Sequence, residues 1–124
     1  MTITENKIRI SNLDYLKKLS KGDVQFETSM IEIFLSENPL ELKKIEKGIQ
    51  ENDLSIIKQT AHKLRSTLPF IGLENSIGKE LSDMEDLAGK NAELPEIKYL
   101  FFKVKETFEI AAEELKYLLA HDLI

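Results

Sequence analysis

Cysteine is absent from the 124-residue chain. Disulfides, thiol catalysis and thiolate metal sites are therefore excluded. Histidine is scarce, with only His62 and His121, far apart in sequence, so no histidine-rich metal centre is expected. No apolar run reaches the roughly 18–20 residues that a membrane-crossing helix needs. The opening residues, Met1-Thr2-Ile3-Thr4-Glu5-Asn6-Lys7, lack the basic stretch followed by an apolar one that marks a signal peptide. A cytoplasmic location is the expectation, and a chain opening on Met1 is compatible with a free-standing protein. The five glycines stand singly and build neither a Walker-type phosphate loop nor a dinucleotide fingerprint. There is no Gly-x-Ser-x-Gly elbow and no protein-kinase signature set, so a self-contained ATP-using enzyme is not expected. Positive charge is in the minority. Lysine and arginine number 17 against 22 acidic residues, a net charge of -5, which argues against nucleic acid or an anionic membrane as partner.

What remains is helical pattern. Hydrophobic residues make up 42% and charged residues 31%, a balance suited to one globular domain. Residues 1–10 show no cap or sustained period and read as a mobile arm, with Ile8 and Ile10 available to pack. Ser11 or Asn12 then suits an N-cap, Asp14 the first turn, and Leu13, Leu16 and Leu19 recur at spacing three before Gly22. Asp23 caps a long helix reaching about Gln50. Its apolar face is Phe26, Met30, Ile33 and Phe34 with Glu37, then Leu42, Ile45 and Ile49 after a rotation at Pro39. A proline inside a helix removes a hydrogen bond and kinks the rod. One kinked helix is expected, and two helices broken at Glu37 to Pro39 is the alternative. Asn52-Asp53 is a turn and cap. A helix from Leu54 to Ile71 follows, its last turn weakened by Pro69 and its end set by Gly72. The next runs from Leu73 to Ala88 on the stripe Leu73, Ile77, Leu81, Met84 and Ala88. With almost no loop at Gly72, these two must form a tight antiparallel hairpin. Gly89 to Ala92 connects to a last helix with Pro95 in its first turn and Ile97, Phe101, Val104, Phe108, Ala112 and Leu115 inward, ending near Leu119. No stretch alternates with period two. The expected fold is all-α, an up-and-down antiparallel four-helix bundle with a short extra N-terminal helix, the domain spanning 11–124. Phe26, Phe34, Phe101 and Phe108 are expected in the core. Glu113-Glu114 reads as a solvated face and His121 as an ordinary exposed histidine.

On the helix after Asp53, Ile57, Ala61, Leu64 and Leu68 form the core stripe and His62 falls on the opposite face. Gln59, Arg65, Ser66 and Pro69 project on either side of it. Imidazole is substantially neutral at neutral pH and is then a nucleophile. Attack on a phosphoryl group would give phosphohistidine, a product that needs cations and hydrogen-bond donors nearby. Lys63 and Arg65 flank His62, Lys58 lies one turn back, and Gln59 can orient the ring or the phosphate. Ser66, one turn on, is small enough to leave a partner's path open. Gly78 would keep a docking surface flat on the next helix, and Phe70 is a candidate partner contact, or else caps the end of the core.

The run Ala61-His62-Lys63-Leu64-Arg65-Ser66, with Gly72 ten residues beyond the histidine, resembles the signature of the histidine phosphotransfer (HPt) domain of two-component phosphorelays. Phe34-Leu35 with Pro39, and the Asn52-Asp53 turn, resemble the family's preceding helix and turn. The resemblance covers about Asn12 to Ala88, and the last helix fits without a motif. It implies that His62 accepts a phosphoryl group from a receiver-domain aspartate and passes it to another. Arg65 takes the place of the basic residue that assists the phosphate, and Ser66 that of the small residue, commonly glycine, which lets a receiver approach. Pro69 at plus seven departs from the usual helix. Lys63 and Gln59 are assigned to the phosphate, and Lys58, Ser66, Pro69, Phe70 and Gly78 to docking. The partners implied are response-regulator receiver domains, including one within a hybrid histidine kinase, with Mg²⁺ supplied by the receiver and no cofactor or metal held by this chain, which is expected to be a monomer. Such a protein is a phosphohistidine carrier without kinase activity of its own. Two other readings compete: a non-phosphorylated adaptor bundle that docks receivers through the same face, and a hydrolase using His62 as general base. The second lacks any other convergent catalytic group.

Overall fold

The two helices at the centre of the chain each begin at a capping aspartate. The structure, a computed structural model, describes residues 9–90 and 93–124. Helix α1 spans Asp14–Ser20, α2 Val24–Glu51, α3 Leu54–Ile71, α4 Glu74–Gly89 and α5 Leu94–Ala120. Asp23 accepts from the Phe26 amide at 3.0 Å and Asp53 from the Ile56 amide at 3.1 Å, each satisfying a donor that the first turn leaves free. At the far end of α3, Gly72 sits at φ 71°. The Leu73 amide there donates to Leu68 O at 3.1 Å and the Gly72 amide to Pro69 O at 3.4 Å. This is the Schellman arrangement, which glycine adopts without a Cβ penalty. Two-residue links therefore join α2 to α3 and α3 to α4, and each turns the chain straight back. The helices close a ring in chain order, with the α3–α4 pair packed most extensively and α1 laid across α2 and α3. Among the described residues there is no strand.

The expected bundle is present, and α2 is a single helix with Pro39 inside it. Its buried stripe differs from the one read from apolarity. Phe26 and Ile33 are 41% and 48% exposed, and Leu19 on α1 is also exposed. The face that turns inward carries Glu27, Ile31, Asn38, Leu42, Ile45 and Ile49. These positions share one stripe at 100° per residue, running through Pro39 with no rotation. Two of the polar side chains on or beside it find partners. Glu27 accepts from the Ser20 hydroxyl, and Glu41, beside the stripe, accepts from Lys63 at 2.9 Å and Lys44 at 3.3 Å. Phe101 and Phe108 are buried as expected, and the half-buried Phe34 ring lies 5.9 Å from that of Phe108.

A second correction concerns the ends of the chain. Glu114 is not on a solvated face but 4% exposed. Its carboxylate accepts from the Ser11 hydroxyl at 2.6 Å, the Ser11 amide at 2.9 Å and the Ile10 amide at 3.0 Å. Ser11 is thus a buried anchor rather than a cap. The α1 turn is instead entered by Asn12, whose side chain accepts from the Asp14 amide at 2.8 Å. Ile10 packs on the core, the contact that the sequence left open to it. The rest of the expected arm, 1–8, lies outside the described residues, as do 91–92 of the last connection.

Candidate functional site

Helix α3 hides Ile57, Thr60, Ala61, Leu64, Leu68 and Ile71, and that stripe aims His62 outward. The His62 side chain is 65% exposed. Its environment comes from α4. Nδ1 of His62 lies 2.8 Å from Oε1 of Glu85, and Arg65 donates to the other oxygen, Oε2, from Nε at 3.2 Å and Nη2 at 3.1 Å. One carboxylate thereby ties together a histidine and an arginine from the neighbouring helix. Burial pushes the Glu85 carboxyl up, but the hydrogen bonds and charges of His62 and Arg65 outweigh it and hold the group below the ordinary carboxylate value.

That ionisation assigns the imidazole hydrogen. A carboxylate can only accept, so Nδ1 must carry the proton and donate it. In the neutral ring Nε2 then has its lone pair free, on the edge facing solvent. A histidine oriented by a second group is the arrangement of an activated nucleophile.

The other expected residues divide between the two sides of α3. Gln59 and Lys58 line a shallow depression with Ser55, His62 and Glu85, and Gln59 donates to the Ser55 hydroxyl at 3.2 Å. Lys63, expected beside the phosphate, is placed elsewhere. Its ammonium lies 2.9 Å from Glu41 on α2, and that hydrogen bond raises its pKa above the ordinary lysine value. The reason is register, since one step along a helix is a rotation of about 100°, enough to swing Lys63 from the α4 side to the α2 side. Ser66 folds its hydroxyl back onto Lys63 O at 2.7 Å, which keeps the surface beyond His62 low. Pro69 lies lower on the hairpin, beside Asn12, Tyr15 and Gly72. Phe70 is half-buried, its ring 5.7 Å from Tyr15, and it covers a cavity of about 100 Å³ with Met30, Ile31 and Phe34. It therefore closes the end of the core and is not adjacent to His62. Gly78 stands two turns before Glu85 on the edge of α4 that meets α3. A Cβ there would lie 3.9 Å from Leu68 Cδ1, ordinary contact, so the absence of a side chain is not forced by packing.

Glu85 was not singled out from the sequence. The signal was present in the tight turn, because Gly72 and Leu73 fix the hairpin register and bring the stretch 83–86 opposite His62. Among the described residues no group of three or more histidines or carboxylates could hold a metal ion, and no helix is long and apolar enough to cross a membrane.

Comparison with known proteins gives one match: the family model described as the Hpt domain covers residues 29–114, from within α2 to near the end of α5. No curated protein matches the chain, and no solved structure does.

Proposed function

The chain belongs to the Hpt domain family, which acts in phosphotransfer within two-component signalling, and from that premise we propose that it is a phosphorelay intermediary carrying the phosphoryl group on His62. The observation that supports this most directly is the 2.8 Å contact from Nδ1 to Glu85 on an otherwise exposed ring. In the neutral ring this leaves the Nε2 lone pair free on the solvent-facing edge.

A receiver carrying an aspartyl phosphate docks over α3 and α4. The Nε2 lone pair attacks phosphorus in line, the bond from phosphorus to the aspartate oxygen breaks, and the carboxylate leaves. The ring becomes a phosphorylated imidazolium, its Nδ1 hydrogen still donated to Glu85. Arg65, held beside the ring by Glu85, brings positive charge toward the phosphoryl oxygens, and Lys58 and Gln59 border the same depression. In the next step a carboxylate oxygen of a second receiver attacks phosphorus and the N–P bond breaks. The receiver brings Mg²⁺ and most of the catalytic groups, while this chain contributes a positioned nucleophile and positive charge. The low surface at Ser66 and the bare edge at Gly78 give the receiver its approach. Lys63, paired with Glu41, serves the α2–α3 contact, and Pro69 and Phe70 border the approach from the α1 end.

The test is transfer. Incubation with a phosphorylated receiver labels the protein, the label is acid-labile and alkali-stable, and His62→Gln abolishes it. A label retained in that variant would sink the assignment. A panel of receivers, each tried as donor and as acceptor, then identifies the partners and the direction of flow.

A further inference from the structure

We propose that Glu85 sets how readily phospho-His62 gives up its phosphoryl group, by holding the proton on Nδ1 through the whole cycle. The inference rests on the phosphotransfer reading of His62 and concerns the phosphorylated form. Its basis is how the two oxygens of one carboxylate are divided. Oε1 faces the ring at 2.8 Å, and Oε2 is gripped by two nitrogens of Arg65 at 3.2 and 3.1 Å. The Glu85 side chain is only 16% exposed. It is a fixed negative charge against the sheltered edge of an imidazole whose other edge is wet.

The chemistry turns on the leaving group. When Nε2 takes a phosphoryl group while Nδ1 keeps its hydrogen, the ring is a cation. Departure of the phosphoryl group from that cation releases a neutral imidazole with the Nδ1 proton still in place. No proton has to arrive or leave in either direction. Had the phosphorylated ring lost its Nδ1 proton, the group left behind would be an imidazolate, a far poorer leaving group. A carboxylate at Nδ1 favours the cation and so keeps the phosphoryl group transferable. The charged groups facing the ring are Lys58 and Arg65 from α3 and Glu85 from α4, and Glu85 alone among them is negative. On α2, Glu41 and Glu37 act on Lys63 at the far side of α3. Loss of Glu85 therefore leaves the ring among cations, which disfavour the imidazolium.

Two variants separate orientation from charge. Glu85→Gln keeps an acceptor oxygen for the Nδ1 hydrogen but not the charge, and Glu85→Ala removes both. The proteins are labelled with phosphoramidate, which needs no receiver. Nε2 attacks its phosphorus, the P–N bond breaks and ammonia leaves. Loss of label is then followed from pH 5 to pH 9 by phosphorus NMR, with circular dichroism confirming the fold. Because a negative neighbour raises the pH at which the phosphorylated ring deprotonates, its removal lowers that pH. The expected result for Glu85→Gln is an acid limb of label loss moved to lower pH by about one unit, with label persisting up to about tenfold longer on the alkaline side of that limb. Glu85→Asp restores part of the shift. Coincident profiles in the wild type and Glu85→Gln would overturn the proposal, as would a variant that melts earlier yet loses label with the same pH dependence. A wild-type protein that takes no label on His62 would remove the underlying function and the inference with it, and is a separate result.

Discussion

Replacing Gly72 by alanine is the sharpest test of how the site is held, because the structure gives two separate costs. The first is conformational. At φ 71° an alanine pays about 1–2 kcal/mol for the left-handed region. The second is steric. A Cβ at Gly72 would lie 2.4 Å from Asn12 Cβ, 2.5 Å from Asn12 O and 2.7 Å from Asn12 N. These atoms include backbone, so the whole segment entering α1 has to move away. That movement breaks the bond from the Asn12 amide to Ile71 O, 2.8 Å long, worth about 1 kcal/mol, and loosens the buried Leu13 and Leu16. The sum is about 3 kcal/mol, which for a domain of this size lowers the melting midpoint by on the order of 10 °C. Urea denaturation followed by circular dichroism measures it. Gly72→Asn separates the two costs. Asparagine tolerates a left-handed backbone, as Asn52 does at φ 54° at the end of α2, but it carries the same Cβ. If contact with Asn12 dominates, asparagine is nearly as damaging as alanine. A loss below about 1 kcal/mol for alanine, or full recovery with asparagine, would refute the claim that the α1 entry is seated against this turn.

Gly78→Ala should act in the opposite direction. Its Cβ meets only ordinary contacts in a helix interior, so stability rises by about 0.5–1 kcal/mol, and a fall in the urea midpoint would contradict the packing described at the α3–α4 edge. Glu114→Ala strips the acceptor from three donors; a loss of about 3 kcal/mol is expected, with faster hydrogen exchange at Ser11 and phosphorylation of His62 retained. Lys63→Met tests the α2–α3 contact by pH. Burial pushes the Glu41 carboxyl up, and Lys63 and Lys44 more than reverse this, leaving it below the ordinary 4.5. A folded value below the unfolded one contributes stability above about pH 4.5 that is lost as pH falls through the folded value. Without Lys63 the carboxyl is lowered less, so the variant should melt below the wild type at pH 7 and lose less as pH falls, the two curves converging toward pH 3, and superimposable curves, or a constant offset between pH 3 and pH 7, would rule out the pairing.

The parts of this molecule that could be read from sequence are those fixed by residues close together in the chain. Asp23, Asp53 and Gly72 mark helix ends by local chemistry, and the core stripe of α3 follows from spacing alone. The outward placement of His62 is a consequence of that stripe, so its exposure was legible as soon as the helix was. The errors share a different cause. Glu27, Asn38 and Glu41 turn inward on α2, and two of them do so because Ser20 and Lys63 reach them from other helices. Reading apolar residues as inward swung the stripe toward Phe26 and Ile33. Glu114 is buried for a hydroxyl and two amides more than a hundred residues earlier in the chain, which no local pattern encodes. Glu85 stands between the two cases. Its contact with His62 spans 23 residues, yet the two-residue turn at Gly72 removes most of the freedom in that span, and counting outward from the turn leaves only a few candidates. Counting from the turn, the carboxylates of Asp83, Glu85 and Asp86 are the candidates to meet an outward-facing histidine. Of these, Glu85 is the one that also reaches Arg65, so the tautomer of His62 and the position of its cation are decided by the same side chain.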